Sequence, residues 1–222
     1  TPAMWADPVG FFGYLLSNAL SFQRWNGYVL FRGSVFDTAS QPLPWYYLPY
    51  MILATTPLWA LLLCAVGTAV ALWGGARRLQ SGRTQGLSLL LAALLWLLPL
   101  GFAVVTRTRV YNGWRHFYFL YGPMLALAVL GAHALYQRTR DAKRRLLCAL
   151  LGLCMALSAV GIVTQHPYQY AYYQPLVQLR GTDYNELDYW NVSARDALER
   201  LAGQEEGELV IEPADLWSGY AL

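Results

Sequence analysis

Apolar and polar positions alternate along this chain in blocks that predict four membrane-crossing helices. Apolar runs occupy residues 48–73, 87–106, 117–136 and 146–163. Each holds roughly 18 residues or more, enough to cross about 30 Å of hydrocarbon at about 1.5 Å per residue. Pro49, Pro57, Pro99 and Pro123 fall in or at the start of these runs. They predict kinks of the kind that neighbouring helices make tolerable. Ahead of the first run, Phe11, Phe12, Leu15, Leu16, Ala19, Leu20 and Phe22 recur at helical spacing, broken by Ser17, Asn18 and Gln23. That pattern predicts a helix lying in the membrane interface. Gly27, Gly33, Pro42 and Pro44 then form a loop returning to the membrane at Trp45.

Beyond Val163 the pattern changes and acids come to outnumber bases. Ser193 and Asp196 match a capping box opening a short helix to about Leu201, and Leu209–Ile211 reads as a strand. The expected fold class is an all-α polytopic membrane protein with about four transmembrane helices, an interfacial helix and a small outer α/β C-terminal segment. The expected division is 1–46, an outer loop with the interfacial helix; 47–165, the transmembrane helices; and 166–222, a truncated outer segment.

Composition agrees with the pattern. Only 13% of residues are charged and 56% are hydrophobic, against about 25% charged in soluble domains. Sixteen tyrosines and nine tryptophans suit membrane–water boundaries, where amphipathic rings settle. Cys64, Cys148 and Cys154 all lie in apolar runs and act there as small hydrophobes. No Cys/His spacing resembles a metal site, and no basic run interleaved with aromatics suggests nucleic acid. The chain opens on Thr1 and reads as the C-terminal part of a larger membrane protein.

Charge then gives the runs a direction. Arg77, Arg78 and Arg83 lie between the first two runs; Arg138, Arg140, Lys143, Arg144 and Arg145 lie between the last two, with Asp141 alone against them. Cytoplasmic loops carry such an excess of Lys and Arg. The expected location is a bacterial inner (plasma) membrane, with 107–116 and the C-terminal segment on the outer face.

That orientation puts Arg107, Arg109 and Arg115 on the side where cations are unexpected. A guanidinium is a planar fork matched to phosphate oxygens and keeps its charge near low dielectric. The plainer alternative is snorkelling toward lipid headgroups, or pairing with the acids that follow. Tyr111, Trp114 and His116 surround the arginines, and His166, Tyr168 and Tyr170 form a second aromatic block on the same side. The ordinary role of such rings is an aromatic belt. His133 reads as a helix–helix hydrogen-bonder, and Asp188 either as a group orienting an arginine or a sugar hydroxyl or as a solvated acid. No nucleophile triad, phosphate-cradling glycine loop, metal cluster or pair of adjacent carboxylates stands out, so no catalytic residue is assigned.

The series PLPWYYLPYMILATTP, YNGWRHFYFLYGP, HPYQYAYY and ELDYW resembles the C-terminal half of GT-C membrane glycosyltransferases, the superfamily of protein O-mannosyltransferases and aminoarabinose transferases. The resemblance spans most of residues 40–191. It implies transfer of a sugar from a polyprenyl-phosphate donor to a glycan, lipid or protein acceptor at the outer membrane face. It also implies a catalytic acid, and any divalent metal, located upstream of this chain. Under that reading Arg107, Arg109, Tyr111, Trp114, Arg115, His116, His166, Tyr168 and Tyr170 bind the donor phosphate or substrate. The rival readings are a transporter or flippase subunit binding lipid phosphates, and a non-catalytic membrane scaffold.

Overall fold

The computed structural model describes residues 2–20, 27–110, 113–181, 184–188 and 191–204. Two helices, α1 (Pro2–Ala6) and α2 (Pro8–Leu20), come first. The Asp7 carboxylate accepts the Gly10 N–H at 2.9 Å and so caps the start of α2. A hairpin of β1 (Tyr28–Phe31) and β2 (Ser34–Asp37) follows, paired from Tyr28↔Asp37 to Phe31↔Ser34. Then come α3 (Tyr47–Thr55), α4 (Leu58–Gln80), α5 (Gln85–Thr106), a 3₁₀ helix (Arg115–Leu120), α6 (Tyr121–Arg138) and α7 (Asp141–Thr164). A single 3₁₀ turn (Gln169–Ala171), α8 (Pro175–Gln178) and α9 (Ala194–Gln204) complete the described chain.

Among the described residues, four helices are long and apolar enough to cross a membrane: Leu58–Gln80, Gln85–Thr106, Arg115–Arg138 and Asp141–Thr164. The protein is thus an all-α polytopic membrane protein, with one small two-stranded sheet among the described residues. Three of these helices fall where the apolar runs predict. The first does not. The run from 48 to 73 is cut at Thr56–Pro57 into α3 and α4, and the crossing helix extends on to Gln80. Pro57 lacks the N–H that would continue α3, and it pushes Thr56 to an extended backbone (φ −113°, ψ 136°). At nine residues α3 is too short to cross. Pro99, by contrast, sits inside α5 without ending it.

Short connections make α4, α5, α6 and α7 alternate in direction. The hairpin, α3 and the segment after α7 therefore gather at one end of the bundle, and the loops at 81–84 and 139–140 lie at the far end. At that far end the Arg77 guanidinium lies 4.6 Å from the Trp73 ring, and Arg144 lies 4.3 Å from Tyr136.

Small residues set the helix spacing. A Cβ on Gly67 of α4 would stand 1.7 Å from the Leu127 carbonyl oxygen, and one on Gly131 of α6 would stand 2.1 Å from that of Leu63. On the other flank, a Cβ on Gly86 of α5 would stand 2.5 Å from the Gly75 carbonyl oxygen. Lipid supplies no hydrophobic drive between helices, so such close backbone approach is what binds them. Leu120, Met124 and Leu127 fill the remaining space and are fully buried. The Trp59 indole donates to the Ser158 hydroxyl of α7 at 3.2 Å, yet α7 buries none of its residues. His133 is exposed on α6 with no hydrogen-bond partner among the described residues, so the expected helix–helix bond is not made. Cys64 is buried and Cys148 exposed.

The α9 start also departs from expectation. The Asp188 carboxylate, not that of Asp196, accepts the Val192 and Ser193 N–H groups, each at 2.9 Å, together with the Ser193 hydroxyl. The reciprocal Ser193–Asp196 box is replaced by this longer reach, and Asp188 is a cap, not merely a solvated acid. The strand expected at 209–211 lies outside the described residues.

Gly131→Val should lower thermal stability by an amount toward the top of the about 1–3 kcal/mol expected for overpacking. Gly152→Val on α7, where an added Cβ meets nothing within 4 Å, should change it little. Denaturation of the two variants in one detergent checks the difference.

Candidate functional site

Residues 107–110 are positioned by the way α5 ends. Arg107 takes a left-handed conformation (φ 47°) and closes the helix, and the Thr108 N–H reaches back to the Ala103 carbonyl at 3.1 Å. The Thr106 and Thr108 hydroxyls meet at 2.6 Å. Val110 is then buried. Gly113, at φ 77°, makes a turn that places its N–H on the Tyr47 hydroxyl at 2.9 Å.

Trp114 fixes the turn to the bundle. Its indole N–H donates to the Thr55 hydroxyl at 2.8 Å, and its ring stacks on Tyr121 at 5.1 Å. Phe117 and Leu120 of the 3₁₀ helix bury behind it. Arg115 and His116 thus start a short helix whose backbone is held on both sides.

Thr55 is itself held at the α3–α4 break. Pro57 leaves the Leu53 and Ala54 carbonyls without their helical donors. Gln174 supplies both: its side-chain amide donates to Leu53, and its backbone N–H donates to Ala54 at 2.7 Å. Gln174 is buried, as is Tyr173 beside it, whose hydroxyl donates to the Glu186 carbonyl at 2.9 Å. Burial is the main cause that pushes the Tyr47 and Tyr173 phenols above the ordinary tyrosine range, so both stay protonated. The Thr56 hydroxyl is buried in this joint with no partner among the described residues.

In front of the turn lies a cavity of about 690 Å³, within the range of small-molecule sites. Leu98, Pro99 and Phe102 of α5 and Phe117 and Phe119 of the 3₁₀ helix make its apolar wall. Asn18 of α2, Thr108, Arg109 and His116 make its polar rim. One wall can take a hydrocarbon chain, while the rim offers a fixed cation, an imidazole, a hydroxyl and an amide. The arrangement suits an amphiphile with an anionic head.

The structure brings only part of the sequence-derived set to this cavity. Arg109 and His116 line it. Arg115 adjoins His116 on the same turn, and Arg107 is spent as the exposed end of α5. Trp114 is 3% exposed and acts as an anchor; Tyr111 lies outside the described residues. The second aromatic block does not line the cavity. The His166 Nδ1 accepts from the Gln169 amide at 3.0 Å, the Tyr168 hydroxyl donates to the Asp196 carboxylate, and Tyr170 is exposed. The bond to Asp196 is the main cause that raises the Tyr168 phenol above its usual range.

Asn18 and Thr108 join the site only in the structure. Asn18 carried a signal, as a polar interruption in an otherwise apolar helix, but its approach to residue 109 is a long-range fact. Among the described residues no three His, Cys, Asp or Glu side chains converge as ligands for a metal ion. Comparison with protein-family models, curated proteins and solved structures finds no match.

Gln174→Leu should destabilise the fold by about 1–3 kcal/mol, because it strands a buried carbonyl. Thr56→Val, which removes an unpartnered hydroxyl at nearly constant shape, should be neutral or stabilising. Thermal unfolding of both variants in detergent tests the joint; equal losses would show that its hydrogen bonds carry no stability.

Proposed function

We propose that this chain forms the donor-binding part of a membrane glycosyltransferase that takes its sugar from a polyprenyl-phosphate carrier. The observation that carries this reading is the cavity in which an apolar wall meets Arg109 and His116. A prenyl chain fits the wall, and the phosphate head fits the rim. As the sugar departs, charge grows on the phosphate, and a fixed guanidinium there would stabilise it. The resemblance of the 40–191 segment to GT-C enzymes supports the same reading. No catalytic residue is assigned to this chain.

The orientation we propose follows from the loops. The far end, with Arg77, Arg78, Arg83 and the cations from 138 to 145, faces the cytoplasm, and the cavity end faces outward. One observation favours a transporter of lipid phosphates instead, the discontinuous α3–α4 helix, because transporters bind cargo at such breaks. Here the two freed carbonyls are taken by Gln174, so the break supports a structural joint better than a cargo site.

Full-length protein in membranes, supplied with a radiolabelled polyprenyl-phosphate sugar, should lose about tenfold or more of its transfer when Arg109 becomes Ala, the loss expected for one charge-assisted hydrogen bond. Unchanged transfer would remove Arg109 from the donor site.

In a background lacking native cysteines, single cysteines at positions 78 and 180 should react with an impermeant thiol reagent from opposite sides of sealed vesicles. Labelling from one side would overturn the orientation.

A further inference from the structure

The β1–β2 turn is made by Arg32 and Gly33, with φ of 51° and 77°. A two-residue hairpin turn of this kind needs positive φ at both positions, which favours Asn or Asp followed by Gly. An arginine in the left-handed region is strained by about 1 kcal/mol or more and persists only where its surroundings hold it. Segment 184–186 does so here. The Asn185 side-chain oxygen accepts the Arg32 N–H at 3.4 Å, the Tyr184 carbonyl accepts the Gly33 N–H at 2.9 Å, and the Glu186 N–H donates to Leu30 at 3.3 Å.

The side chain is held as firmly as the backbone. Arg32 Nε donates to the Tyr184 hydroxyl at 2.8 Å. Its guanidinium carbon lies 5.9 Å from the Tyr46 ring and 6.0 Å from Tyr50. On Tyr184 a second guanidinium is stationed: Arg180 lies 5.6 Å from the ring centre. Two cations are thus directed at one phenol, and among the described residues the only ion pair is elsewhere, Arg195 with Glu199. The bond to Tyr184 uses Nε alone and leaves the terminal nitrogens of Arg32 as donors. The Tyr184 oxygen accepts from Arg32, which leaves its O–H to donate outward.

We infer that Arg32, Tyr184 and Arg180 form an oxyanion clamp, a second anion site separate from the cavity at Arg109, that takes a phosphate group. Both guanidiniums are held against one tyrosine, Arg32 on its hydroxyl and Arg180 against its ring, and a phosphate at that hydroxyl can accept from both forks. The strained turn and the tyrosine fix the first fork in advance, so binding orders little that is not already ordered. The phosphate can belong to a soluble phosphorylated compound or to an anionic lipid headgroup. The clamp does not depend on the glycosyltransferase reading.

The test uses the full chain in nanodiscs, with arginine side-chain nitrogens observed by NMR. In one arm inorganic phosphate is titrated into phosphatidylcholine discs. In the other, discs contain phosphatidic acid and no soluble phosphate. The Arg32 Nε signal should shift saturably in one arm, and which arm responds names the source. Arg180→Ala, at an exposed position, should weaken the response about tenfold, while Arg32→Lys, which keeps the charge and loses the fork, should weaken the matching shift of the Arg180 Nε signal at unchanged folding. Arg109→Ala should leave the Arg32 response alone. Absence of a saturable shift in both arms, or an Arg180→Ala response equal to the parent's, overturns the clamp.

Discussion

Gln174 filling the gap opened by Pro57 is the contact on which the cavity end of this protein depends. Without water in a bilayer, a broken helix must find donors for its freed carbonyls within the protein. Gln174 comes from a segment that follows all four long helices, and it satisfies Leu53 and Ala54 at once. One residue on, the Thr55 hydroxyl takes the Trp114 indole. Three distant stretches, near 55, 114 and 174, are therefore closed onto one another by a single joint. Arg115 and His116 inherit their place from Trp114, and the hairpin inherits its place from α3 through Phe31, whose ring lies 4.8 Å from Tyr47 and 5.1 Å from Tyr50.

Hydropathy made the crossing helices legible because lipid imposes length and composition together. It misplaced the first one for the same reason. Residues 48–73 carry no charge, and a hydropathy window does not distinguish one helix from two. The signal lay in local chemistry: Pro57 forbids continuation, and it disfavours helical geometry at Thr56. Position in the bundle is another matter. The run of α7 is the most apolar of the four and buries no residue, while α4, which carries Gly67 and Gly75, is bound on two flanks by glycine contacts.

The site was half legible. Arg109 and His116 announce themselves as polar groups at the end of an apolar run, and both reach the cavity. The aromatic block at 166–170 shares their character but not their location, since side-chain bonds to Gln169 and Asp196 hold His166 and Tyr168 elsewhere. Residue type suggests chemistry; only tertiary pairing decides which groups meet. Arg32 shows the converse. The glycines and prolines of 27–44 read as a loop, yet Tyr28–Phe31 and Ser34–Asp37 pair as a hairpin, and the strain at Arg32 has meaning only once Tyr184 and Asn185 are seen to hold it.

Both ends of the bundle carry arginines, and their settings differ. At the far end Arg77 and Arg144 lie over Trp73 and Tyr136, rings of their own or the preceding helix. Such local pairs keep a cation at the membrane boundary and need no ligand. At the cavity end Arg109 and Arg32 are placed by loop and turn geometry, each beside groups drawn from distant parts of the chain. Aligning a guanidinium across long sequence separations costs chain entropy that membrane anchoring alone does not require. That cost sets the arginines of the cavity end apart from those at the other.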